Sequence, residues 1–143
     1  MGGSITAGIH NWPEPVVNWF GDAFPDARIS VENAAIGATG SPLAIFRAER
    51  DIIQRKCDLV FIEYAVNDWE LTPKLRGRTR EGLIRKLLEA ESRDLVLGYA
   101  FRQEMYENMR QGIVPPSIAE FEELASHYDI GSTEIMQGDS DER

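Results

Sequence analysis

Apolar residues recur along this chain in two rhythms, short continuous runs and helical stripes, and the two alternate. Leu59 to Val66 is almost continuously apolar and rich in β-branched and aromatic residues, the pattern of a strand covered on both faces in a parallel sheet. Asp94 to Phe101, with Leu95-Val96-Leu97 and Tyr99, repeats that pattern. Arg28 to Ala35 alternates instead, Ile29 and Val31 preceding Ala34, Ala35 and Ile36, and predicts a further strand; Asp129 to Ile135 can hold a short last one.

Helical stripes fill the gaps. Pro13 to Phe24 sets Val16, Val17, Phe20 and Phe24 on one face behind two prolines suited to a first turn. Pro42 to Lys56 offers Ile45, Phe46, Ile52 and Ile53 as an inner face and Arg47, Glu49, Arg50 and Asp51 as an outer one. Thr79 to Ala90 carries Leu83, Ile84, Leu87 and Leu88, with Thr79 as its cap. Ser117-Ile118-Ala119-Glu120 has the capping-box pattern and opens a helix to about His127, with Phe121, Leu124 and Ala125 inward. Between these, Trp69 to Arg78 reads as a basic, solvated loop, with Lys74, Arg76, Arg78 and Arg80 clustered there. Arg102 to Pro116 reads as irregular, with Met105, Tyr106 and Met109 as packing residues.

Strands alternating with helices predict an α/β fold around a parallel sheet. The 143 residues suit one domain, taken as 1–136, followed by an acidic tail over 137–143 that has no core-forming residue and is expected to be disordered. A hydrophobic share of 43% and a charged share of 27% place the chain among ordinary globular proteins. The net charge of −9 argues against a nucleic-acid backbone or an anionic membrane as partner. Cys57 is the only cysteine, so neither an internal disulfide nor a thiolate metal cluster can form. No stretch approaches a membrane span or a secretory leader, and a cytoplasmic location is the default expectation. No cofactor or metal is expected.

Small-residue loops carrying a polar group recur at three places. Met1-Gly2-Gly3-Ser4-Ile5-Thr6-Ala7-Gly8 suits a turn with free backbone N–H groups, or else a flexible terminus. Gly37-Ala38-Thr39-Gly40-Ser41-Pro42 and Asn67-Asp68 each follow an expected strand, where open α/β sheets place their ligands. Either could also be a plain connection. Acyl transfer needs a nucleophilic hydroxyl and donors aimed at an oxyanion, and a backbone amide in a glycine loop together with an Asn side chain would supply the donors.

On these three blocks, Gly2 to Gly8, Asn33 to Ser41 and Ala65-Val66-Asn67-Asp68, the chain resembles the SGNH (GDSL-type) serine hydrolase superfamily over residues 2 to 130. The resemblance implies a flavodoxin-like three-layer α/β/α sandwich with a parallel sheet, and hydrolysis of small esters, often acyl or acetyl groups on carbohydrates. It implies Ser4 as nucleophile, the amide around Ala38 as one oxyanion donor and the Asn67 side chain as another. The family has glycine where Ala38 and Ala65 stand. Its first strand precedes the nucleophile, whereas only Met1-Gly2-Gly3 precedes Ser4, so the first strand is expected to be missing. Its Asp-x-x-His block supplies the general base, and no histidine follows Ile130; His127 has Leu124 three residues before it. His127 reads as a helix-surface residue and His10 as an exposed loop residue. The expectation is a hydrolase shortened at both ends and impaired. The alternatives are an inactive α/β module that binds a partner or self-associates by strand exchange, and an unrelated flavodoxin-like domain holding a phosphate in its small-residue loops.

Overall fold

A computed structural model of the protein describes residues 1–8, 11–90 and 92–135; His10 and the acidic tail lie outside the described residues. Helix α1 spans Ser4–Ala7, α2 Pro13–Ala23 and α3 Ser41–Ala48, the last running on into a π-helical turn over Glu49–Ile53. Strand β1 (Leu59–Ile62) is followed by α4 (Pro73–Ala90), β2 (Asp94–Tyr99), α5 (Gln103–Arg110), α6 (Pro116–Tyr128) and β3 (Gly131–Glu134). The strands form a parallel sheet in the order β1-β2-β3, with Val60 beside Leu95 and Ile62 beside Leu97. The helices flank this sheet, giving the α/β sandwich that the alternation predicts.

Side chains alternate across a strand, and one face of the sheet is far more buried than the other. Val60, Ile62, Leu95, Leu97 and Tyr99 join Ala44 and Ala48 of α3, Leu83, Ile84 and Leu87 of α4, and Phe121 and Ala125 of α6 in one core. The opposite face receives Trp12 on Phe61, ring centroids 5.7 Å apart. At the outer edge of β1, Gly2 bridges Glu63 in parallel, and Ile36 N–H donates to Gly2 O at 3.1 Å. With Met1–Gly2 and the end of segment 28–36 counted in the ladder, the spatial order is the flavodoxin-like 2-1-3-4-5. Of the strand expected ahead of Ser4, this one bridge is present.

Several elements differ from the sequence reading. No strand forms over 28–35: its sheet neighbour is only Met1–Gly2, and Ile29 and Val31 stay 43% and 53% exposed. In α3 the inner face is made by small residues, Ser41, Ala44 and Ala48, while Phe46 is 81% exposed. Asp51, expected outside, is buried in an ion pair with Arg47 at 2.5 Å. Helix α4 begins at Pro73, six residues before Thr79, and Thr72 Oγ1 accepts the Leu75 N–H at 3.4 Å. The expected basic loop is therefore the first two turns of a helix, and two of its arginines point inward. Neither capping-box side chain caps α6, because Ser117 and Glu120 are engaged by Arg80 and Arg76. Arg102 to Pro116 contains α5, of which Met105 is buried and Tyr106 exposed.

These burial differences set stability effects. Leu97→Ala, in a fully buried site of the central strand, is expected to cost about 2–5 kcal/mol in urea unfolding. Val31→Ala is expected to cost under about 0.5 kcal/mol, and a cost near that of Leu97→Ala would mean that 28–35 packs as a strand after all.

Candidate active site

The turn after Gly2 is fixed from several sides. Ser4 opens α1 with its side chain exposed, while Thr6, two residues on, is buried beneath it. Thr6 Oγ1 donates to Glu63 Oε2 at 3.2 Å and accepts from Trp12 Nε1 at 3.1 Å. Asn33 Nδ2 donates to Thr6 O at 2.8 Å, which ties the second small-residue block to the first.

The second loop comes off the sheet edge at Ile36. Ala38 has φ of +59°, the left-handed region that a Cβ disfavours. This is the physical reason for a glycine preference at the position. Thr39 Oγ1 closes the loop on Ile36 O at 2.8 Å. A Cβ built on Gly37 would lie 3.8 Å from Ser4 Cβ, so this loop stands beside the Ser4 side chain.

The third loop is a turn following β1. Asn67 packs so closely on the main chain of Gly3 that a Cβ there would overlap its amide; glycine is required by the close approach. Asn67 Oδ1 is buried and has no hydrogen-bond partner among the described residues. Asn67 as a whole is half-buried, with its amide lying against the residue that precedes Ser4. Asp68 is fully buried: Oδ1 accepts the Ser41 N–H at 2.9 Å and Oδ2 accepts from Arg80 Nε at 2.8 Å. Gly40 leaves no room for a side chain against the same carboxylate.

Burial pulls the Arg80 guanidinium down to about 10, against the opposing pull of Asp68, so it stays charged at neutral pH. Its neighbour Arg76 binds Glu120 through two contacts of 2.5 Å and holds that carboxyl below its ordinary range. Desolvation pushes Glu63 up to about 7, outweighing the hydrogen bonds from Thr6 and the Val66 amide that favour its charged form.

The structure thus brings Ser4, the loop bearing Ala38, and Asn67 together at the carboxyl ends of the parallel strands. His127 is not with them. It is exposed near the C-terminus of α6, whose N-terminus meets the turn after β1 through Ser117 Oγ–H donating to Ala65 O at 2.7 Å. His127 therefore sits toward the other end of the sheet, its ring 4.7 Å from that of Tyr128. Among the described residues no group of His, Cys, Asp and Glu is placed to hold a metal ion, and no helix is long and apolar enough to cross a membrane. Sequence reasoning missed Thr6, Glu63, Arg76 and Arg80. The one available signal for the arginines was their spacing of four, which puts them on one helix face.

An α/β sandwich with three polar loops converging at the strand ends is the class these features define. No protein-family model matches the sequence, and no curated protein does. Solved structures do. A two-domain esterase active on acetylated mannans is 31% identical, with TM-score 0.76; the match covers 93% of this chain and 35% of that one, so the chain spans about a third of its length. An acetyl xylan esterase from Geobacillus stearothermophilus is 18% identical, with TM-score 0.73, over 92% of this chain and 72% of that one. A protein assigned to the G-D-S-L lipolytic family, from Desulfitobacterium hafniense, is 16% identical, with TM-score 0.71, over 94% and 74%. The chain has an SGNH (GDSL-type) fold.

Two substitutions probe this geometry. Ala38→Gly relieves a left-handed alanine at some cost in unfolded-chain entropy, and is expected to raise unfolding stability by about 0.5–1 kcal/mol. Glu63 holds its proton in the folded protein above the pH at which the unfolded chain releases it, so it lowers stability as pH rises from 4.5 to about 7. Wild type is expected to lose on the order of 3 kcal/mol over that window relative to Glu63→Gln, with no difference in slope below it. Both proteins share the buried Met1 amine, pulled down to about 6, so the comparison is made between their urea midpoints at each pH.

Proposed function

We propose that this chain is an SGNH-type ester hydrolase domain acting on acyl or acetyl esters, with Ser4 as nucleophile and with the Ala38 N–H and the Asn67 side chain as oxyanion donors. The observation that carries this reading is the convergence of the half-buried Asn67 side chain, packed on Gly3, with an exposed Ser4 beside the Gly37-Ala38 loop. Donors already held in place need little reorganisation when negative charge develops on a carbonyl oxygen. Ser4 Oγ would attack the ester carbonyl, the oxygen would gain charge between the two donors, and the alcohol would leave with the hydroxyl proton. Water would then release the acid from the acyl-Ser4 intermediate. Likeness at 31% identity to an esterase active on acetylated mannans supports an acetylated polysaccharide as the substrate class.

These 143 residues hold no Asp-x-x-His block, and the exposed His127 sits toward the opposite end of the sheet from Ser4. Among the described residues no imidazole stands beside Ser4, and a serine without one is a weak nucleophile at neutral pH, so slow turnover is the outcome we expect. In a serine triad enzyme, the oxyanion hole and binding alone retain about 10³–10⁴ over water.

A second reading, a catalytically inactive module that self-associates by strand exchange, is favoured by the outer edge of β1. Among the described residues that edge is met by Met1–Gly2 alone, at Phe61 O and Glu63, and a cleft of about 550 Å³ lies between α2 and segment 28–36, lined by Val17, Asn18, Gly21, Ile29 and Val31. Sparsely paired edges of this kind can recruit another strand.

One experiment separates the two. Turnover of p-nitrophenyl acetate is expected to be slow but Ser4-dependent, to fall about 10²–10³ in Asn67→Ala, and to be unchanged in His127→Ala. A folded wild type no faster than Ser4→Ala would sink the hydrolase reading, and a dimer in sedimentation beside that result would favour the second.

A further inference from the structure

The turn that carries Asn67 is gripped from below by a charge with no access to solvent. Arg80 Nε donates to Asp68 Oδ2 at 2.8 Å, Nη1 to Ser117 O at 2.6 Å, and Nη2 to Ser117 Oγ at 2.7 Å and Tyr64 O at 3.3 Å. Ser117 Oγ–H passes the grip on to Ala65 O at 2.7 Å. The guanidinium plane lies over Phe121, 3.8 Å from the ring centroid, which closes its last open side. One side chain thus fixes the two carbonyls on the entry side of the turn and the carboxylate on its exit side. Through its other oxygen that carboxylate holds the Ser41 N–H, at the end of the loop that carries Ala38.

We propose that Arg80, acting through Asp68, is the positioning residue that sets the Asn67 amide and the Ala38 loop against Ser4. Asp68 is the only side chain described here that hydrogen-bonds across the two loops, and Asn67 is its immediate neighbour in the chain. A guanidinium fork is needed because three directions must be served from one plane; an ammonium can pair with Asp68 but cannot also span Ser117 and Tyr64. The proposal rests on the reading of Asn67 and Ala38 as oxyanion donors, since only then does their position affect chemistry. Misplacement of a reacting group by about 1 Å costs on the order of 10²-fold.

The test follows the Asn67 side-chain amide resonances in nitrogen-proton correlation spectra of full-length Arg80→Lys, Asp68→Asn and Ser117→Ala, beside Arg85→Lys on the exposed face of the same helix. In every variant of the first three that keeps a cooperative unfolding transition, the Asn67 signals are expected to shift; in Arg85→Lys they stay in place. Ser117→Ala removes one hydroxyl and leaves the ion pair, so it provides a folded case if burial makes the other two too costly. With p-nitrophenyl acetate, kcat is expected to fall about tenfold to a hundredfold with KM within about twofold. Unmoved Asn67 signals in folded Ser117→Ala and Asp68→Asn overturn the proposal. Shifted signals in a protein whose wild type shows no Ser4-dependent turnover would instead uphold the positioning and overturn the hydrolase reading on which its consequence rests.

Discussion

A buried ion pair, Arg80 with Asp68, is the interaction on which the rest of this structure depends. Neither side chain is accessible to solvent. Removing two charges from water is expensive, and their attraction offsets that cost only where the remaining donors and lone pairs are satisfied. Here they are: Ser117, Tyr64 and Ser41 complete the hydrogen bonding and Phe121 covers the cation. The pair joins α4, α6, the turn after β1 and the start of α3 at one point. A second arginine one helical turn away extends the grip, with Arg76 Nη1 donating to the carbonyls of Trp69 and Leu71 at 3.3 and 3.0 Å.

This arrangement explains which parts of the fold were legible in the sequence. Leu59 to Ile62 and Asp94 to Tyr99 were readable because a central parallel strand must be apolar on both sides, whatever its neighbours. Phe121 and Ala125 were readable because helical spacing alone identifies an inner face. Arg76 and Arg80 were not. In one dimension a buried arginine looks like a solvated one, and its burial depends on Asp68, Ser117 and Glu120 arriving from other elements. Ser117 and Glu120 show the same effect from the partner's side: a local capping pattern gave way to a stronger tertiary use of both side chains. Arg28 to Ala35 failed for the complementary reason. Alternation states that a segment could be a strand, but pairing is non-local, and the sheet beside it extends only to Met1–Gly2.

The candidate site was legible in its parts. Ser4, the Gly37–Ser41 loop and Asn67 stood out as small-residue or polar interruptions next to apolar runs, and a parallel sheet brings such interruptions to one end. What the sequence could not convey was how tightly they fit. That Gly3 is glycine because Asn67 lies on it, and that Ala38 occupies backbone space better suited to glycine, emerge only from the backbone and its neighbours.

The loops around Ser4 are anchored very unequally. The Asn67 turn shares its guanidinium with the hydrophobic core, so opening it requires breaking contacts to both α4 and α6, the kind of buried support that goes with slow amide exchange. Segment 28–36 has exposed apolar side chains and is tied to the body by hydrogen bonds of Asn33, Ala34 and Ile36 to Thr6, Arg47 and Gly2, so its anchoring is largely polar and peripheral. Sequence change is therefore tolerated on one rim of the site and resisted on the other. The segment 28–36 can thus vary while the buried support under Asn67 stays fixed.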